Sequence, residues 1–125
     1  MLNASRLLWI VLLFGAFMAF GNDRAEADTV LALALVHHLA IGRNVPLDRI
    51  ASLFARVAPN LVVEWVPKSD PMVRRLLATR EDVFPDYTAE AFVAALGVHF
   101  DLLADEPIAA SGRRLLRLRR RVSDA

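Results

Sequence analysis

Two apolar runs joined by one amphipathic helix constrain this chain more than any other feature. The first, Asp28 to Ala40 (DTVLALALVHHLA), ends in adjacent histidines, His37 and His38. The second, Asn60 to Pro67 (NLVVEWVP), gives way to Lys68, Ser69 and Asp70. Strands that lose the strict alternation of polar and apolar residues are covered on both faces, as in a parallel sheet. Two such strands linked by a helix form a βαβ unit. Because that crossover is right-handed and the strands run the same way, both polar ends fall on one rim, where α/β sheets bind ligands.

The remaining pattern predicts the order β, α, β, α, α, β, β. Thr29 to Val36 is the first strand, and the turn through Gly42 and Asn44 leads to a helix over 46–58 with Ile50, Leu53, Phe54 and Val57 at helical spacing. Pro46 in its first turn and Pro59 beyond its end are the expected punctuation. The second strand is Leu61 to Val66. Asp70 then caps a helix that begins with Pro71 and carries Met72, Val73, Leu76 and Leu77 as its apolar stripe, leaving Arg74, Arg75 and Arg80 outward. The connector EDVFPDY, Glu81 to Tyr87, precedes a helix capped by Thr88, with Phe92, Val93 and Leu96 on one side and Gly97 near its end. Phe100 to Ile108 and Arg113 to Arg119, joined through Ser111 and Gly112, form an antiparallel pair.

A chain of 125 residues that is 56% hydrophobic and 23% charged is one folded domain, too apolar for disorder. It has no cysteine, which excludes disulfides, thiolate metal sites and a cysteine nucleophile. The net charge of +1 is unevenly spread. Six arginines lie within 113–125 against Asp124, so the preceding residues hold nine bases and thirteen acids, a net of −4. Leucines interleave with those arginines, the pattern of a charged strand near a sheet edge rather than a nucleic-acid or lipid-binding tail.

Leu7 to Phe20 (LLWIVLLFGAFMAF) has no charge, follows Arg6 and precedes the small triplet Ala25, Glu26, Ala27. It is read as an apolar helix within residues 1–27. Three origins fit it: a signal or membrane anchor, a helix packed on the sheet, or a non-native start on a truncated chain. It matches the outline of a secretory signal and is short for a span of about 20 residues.

The blocks DTVLALALVHHLAIGRNVPLDRI and NLVVEWVPKSDPMVRRLLATREDVFPDYT, with the closing hairpin and its SGR turn, resemble the C-terminal half of a class I S-adenosylmethionine-dependent methyltransferase. The resemblance runs from Ala27 to Arg119. Its most specific elements are the double histidine, the WVPKSDPMV run and the REDVFPDY loop. It implies a partial Rossmann-like methyltransferase sheet over residues 28–120, comprising that fold's fourth to seventh strands with the last inserted antiparallel, and a short tail over 121–125. It implies S-adenosylmethionine as cofactor, Leu35 and Val36 beside it, Lys68 and Tyr87 toward a methyl acceptor, and a cytoplasmic setting. The chain departs from that family in one respect. Its glycines, at 15, 21, 42, 97 and 112, form no glycine-rich turn, and the sequence before Asp28 is too short for three strand and helix units of about 20 residues each. The chain reads as half an enzyme: a truncated product, a fragment or a relic.

His37 and His38 are the candidate catalytic bases, since imidazole titrates near neutrality and the resemblance places them beside the transferred methyl group. The alternative is packing or a backbone hydrogen bond for either ring. Metal binding is not expected, because neighbouring strand residues point to opposite faces and His99 is distant. Glu64 falls on a face that should be apolar and needs a partner there. Lys68 or an arginine of the next helix would serve structurally; orienting a substrate is the alternative. Asp82, Asp86 and Tyr87 belong either to a lid or to a capped connector. Two functions follow: methyl transfer to a small or macromolecular acceptor, or a non-catalytic, membrane-anchored or exported module acting through its apolar segment (7–20) and basic hairpin. A sheet cut at its first strand would also expose an edge open to self-association.

Overall fold

A computed structural model describes residues 7–12, 15–21 and 27–122, with burial and side-chain contacts from residue 28 onward. It is a mixed α/β arrangement. The strands are β1 (Leu7–Leu12), β2 (Gly15–Gly21), β3 (Ala27–Leu33), β4 (Asn60–Trp65), β5 (Phe100–Pro107) and β6 (Arg114–Arg120), in the sheet order β1-β2-β3-β4-β6-β5. The helices are α1 (Leu47–Val57), α2 (Pro71–Leu77) and α3 (Ala89–Gly97). From β3 onward the element order is the one expected.

β3 and β4 are parallel, with Val30 opposite Leu61 and Ala32 opposite Val63. β6 lies between β4 and β5 and is antiparallel to both. Leu61, Val63 and Trp65 point to one face and are at most 3% exposed, while Val62 and Glu64 point to the other. On the buried face they join Val30, Ala32, Leu116 and Leu118 in one core with Ile50 and Phe54 of α1 and Phe92 and Leu96 of α3. Burying each such aliphatic or aromatic side chain is worth about 1.5–3 kcal/mol.

Local signals set the helix ends. Asp70 Oδ1 accepts the Met72 N–H at 2.9 Å, with Pro71 opening α2. Thr88 Oγ1 accepts the Ala91 N–H at 3.1 Å at the start of α3. Gly112, at φ 78°, turns the chain into β6.

Three expectations need correction. The apolar helix expected within residues 1–27 is instead a strand pair over its described part: β1 and β2 are antiparallel, with Trp9 opposite Met18 and Val11 opposite Ala16. Trp9, Ile10, Val11 and Phe17 are residue types enriched in strands, and Gly15 weakens a helix through this point. The basic start at Arg6 and the triplet's Ala25 and Glu26 lie outside the described residues, as do positions 123–125. Among the described residues no helix is long and apolar enough to cross a membrane.

Second, β2 pairs antiparallel with β3, Ala19 opposite Val30. The edge of β3 that motivated self-association is therefore occupied.

Third, β3 ends at Leu33 rather than Val36. Ala34 adopts φ 52°, and the chain then winds into a helical turn whose wide, π-helical segment is His38–Gly42. The paired histidines ride on that turn and not on the strand.

Candidate functional site at the rim of the parallel strands

Beyond the ends of β3 and β4 the sheet rim gathers polar groups in a mostly buried setting. The left-handed Ala34 sets its geometry. Glu64 Oε1 accepts the Ala34 N–H at 2.7 Å, replacing a ladder hydrogen bond just where the strand stops. An L-residue in that conformation costs about 1–2 kcal/mol, and the carboxylate-to-amide bond offsets it.

Glu64 does have a partner, but not Lys68 or an arginine of α2. Arg113, at the entry to β6, sits with Nη1 at 3.6 Å from Glu64 Oε1. The same guanidinium grips Asp70 with two bonds, Nε to Oδ2 at 2.7 Å and Nη2 to Oδ1 at 3.1 Å. Arg113 thus ties the ends of β4, α2 and β6 together. Its hydrogen bonds hold the Asp70 carboxyl below the usual range and push the Arg113 guanidinium's pKa up.

His37 stands beside this cluster. It is 1% exposed, and neither ring nitrogen has a hydrogen-bond partner among the described residues. Burial, and then the charges of His38 and Arg113, drive its pKa down to about 4, against the opposing pull of Asp70. At neutral pH the ring is uncharged, with one donor and one acceptor. Leaving such groups buried and unmatched costs roughly 1–3 kcal/mol each. The His38 ring lies 4.2 Å away, centroid to centroid, half-buried, and burial lowers its pKa too.

The other expected site residues are dispersed. Leu35 and Val36 are core side chains, 2% and 0% exposed; the Leu35 carbonyl accepts the His38 and Leu39 N–H groups that start the turn. Lys68 pairs with Asp82 at 3.0 Å in an exposed position and does not meet Glu64. Tyr87 is buried: its ring stacks on Trp65 at 4.4 Å and its hydroxyl donates to the Val66 carbonyl at 2.5 Å. Burial, reinforced by Asp70, raises its pKa. That end of the 81–87 connector is pinned into the core. Among the described residues no three carboxylate or imidazole groups converge as a metal site needs.

Sequence reasoning missed Arg113 as a site residue. The signal was present: if β6 pairs antiparallel with β4, the residue after the SG turn falls beside the end of β4.

Among known proteins, the chain is similar to the nodulation protein NoeA. That protein, from Rhizobium meliloti (strain 1021), is 48% identical over 94 residues, which make up 75% of this chain but 20% of NoeA. The chain thus spans about a fifth of the NoeA length. No protein-family model matches the chain, and no solved structure matches it.

Proposed function

We propose that this chain is the acceptor-side portion of an S-adenosylmethionine-dependent methyltransferase fold. Two lines support the reading. The order β3-β4-β6-β5, with β6 antiparallel between β4 and β5, is what the resemblance implies for its fourth to seventh strands. The observation that carries it is the buried His37 imidazole, with both nitrogens unmatched among the described residues, at the rim where parallel strands end. A buried polar group without a partner calls for one from outside.

The cofactor itself does not fit the residues present. Holding its charged and ribose groups takes a glycine-rich turn into a helix N-terminus and a following carboxylate. The described strands before α1 are β1, β2 and β3, paired as antiparallel neighbours, and no described helix lies between them. On this reading the cofactor is held by sequence other than the residues described. This chain contributes the acceptor side. Neutral His37 accepts or donates one hydrogen bond to an acceptor O–H or N–H, and a pKa near 4 makes it an orienting group more than a proton store. Arg113, Glu64 and Asp70 are positioning residues that hold the Ala34 turn and so the ring.

The cofactor misfit also favours a second reading, an α/β module that binds without catalysing. One assay separates the two. Tritiated methyl transfer from S-adenosylmethionine is measured in an extract lacking the chain, with purified chain restored. Incorporation should rise with the natural chain and stay at background with His37→Ala; no rise with either variant favours the binding module, and an equal rise with both overturns the role given to His37.

A further inference from the structure

A concavity is lined by residues other than those of the His37 cluster. The segment leading into α1, the 81–87 connector and α3 line a cleft of about 550 Å³, within the range of small-molecule sites. Val45 and Leu47 line it from the first, Phe84 and Tyr87 from the second, and Ala91 and Ala95, one helical turn apart, from α3. Small residues on the α3 face leave the space open, since a larger side chain at either position would fill it.

The cleft is braced from both sides. Arg80 donates to the Ile41 carbonyl at 2.6 Å and to Asn44 Oδ1 at 2.9 Å, fixing the segment before α1. The same guanidinium lies 5.1 Å over the Phe84 ring, fixing the 81–87 connector. Asp82, itself paired with Lys68, accepts the Phe84 N–H at 3.0 Å, and the Tyr87 hydroxyl closes on Val66. Pro46 and Pro85, both in the lining, lock φ in each segment. A cleft held this way needs little reorganisation to bind, which removes a principal cost of association.

Its chemistry selects a ligand type. The lining is mostly apolar, and Asn44 at the margin already gives its oxygen to Arg80. The charged lining residues are Asp48 and Asp86, both exposed, against the Arg80 guanidinium held on Asn44 and over Phe84. Two carboxylates against that guanidinium leave the mouth net negative, which favours cations over anions.

We propose that this cleft binds a small apolar ligand, an aryl or alkyl group, that bears an ammonium head. The ring or chain lies between Phe84 and Val45, and the ammonium faces Asp48 and Asp86. The proposal requires neither methyl transfer nor His37.

Trp65, stacked behind Tyr87, supplies the readout. In a Trp9→Phe background it is the remaining indole of the chain's two. 4-Phenylbutylamine and the isosteric 4-phenylbutyrate are titrated at pH 7.5, following Trp65 emission and heat. The amine should bind saturably, and the carboxylate at least tenfold more weakly. Asp48→Asn with Asp86→Asn should bring the two within threefold. Ala95→Leu, with its fold verified by circular dichroism, should abolish amine binding; Ala91→Leu is the second filling variant should the first unfold. Equal affinity for amine and carboxylate, no saturable binding of either, or undiminished binding to a folded filled variant overturns the proposal.

Discussion

His37 illustrates how one side chain sets a pH profile. Its pKa is about 4 in the fold against 6.5 for the free group, so between those values the unfolded chain binds a proton that the native chain refuses. Stability therefore rises with pH through this window and is lost as the solution is acidified. Between pH 7 and pH 5 the loss is about 2 kcal/mol, since each tenfold difference in proton affinity between the folded and unfolded chain carries about 1.4 kcal/mol. Urea unfolding of the natural chain and of His37→Leu at both pH values checks this. The leucine variant should lose most of the slope and be at least as stable at pH 5, because an apolar group of similar size leaves no orphan donor or acceptor. Arg113 behaves oppositely. Replacing it with alanine strands the buried carboxylates of Glu64 and Asp70 and should cost about 3 kcal/mol. Arg113→Lys should recover only part of that in the same assay, since an ammonium cannot reproduce the two-bond grip on Asp70. That Glu64 needed a partner was legible from its place in an apolar strand. The partner's identity was not, because Arg113 is distant in sequence and reaches Glu64 only through the pairing of β4 with β6.

At the scale of elements, what could be read was what is locally encoded. Asp70 before Pro71, Thr88 before α3 and Pro46 before α1 mark helix starts by chemistry within a few residues, and all three helices lie where those marks put them. The end of β3 is encoded non-locally. Nothing in LALALVHH halts a strand; the halt comes from Glu64, on a different strand, capturing the Ala34 amide. The strain this leaves at φ 52° is measurable. Ala34→Gly should raise stability by roughly 0.5–1 kcal/mol, the left-handed penalty relieved less the added freedom of the unfolded chain. Thermal unfolding by calorimetry reads it as a higher midpoint; an unchanged or lower midpoint would mean that the surroundings hold no strain at Ala34. The run from Leu7 to Phe20 was misread for a related reason. It is apolar throughout, so neither the helical nor the strand period appears in it, and pairing with a neighbour decides its form.

At the scale of the molecule, the parallel pair β3 and β4 and the hairpin of β5 and β6 were legible from a helical crossover and a tight final turn, whereas the place of β6 between β4 and β5 was expected only from the resemblance. What closes the sheet beside β3 was not legible, since it depends on β2 finding the β3 edge. That pairing has a consequence for assembly. Every ladder hydrogen bond β2 makes to β3 covers an amide or carbonyl that would otherwise be open to another chain, and the strand beneath it, Thr29 to Leu33, is apolar after its first residue. Unprotected apolar edges associate. Removing residues 1–26 should therefore convert the chain into dimers or larger species at micromolar concentration, with a midpoint of unfolding that rises with concentration, as mass action requires. Multi-angle light scattering of the shortened and full-length chains measures the difference directly. A shortened chain that stays monomeric with an unshifted midpoint would mean that β3 is protected by its own twist and by β4, and that the β1 and β2 strands add area to the sheet without guarding its edge.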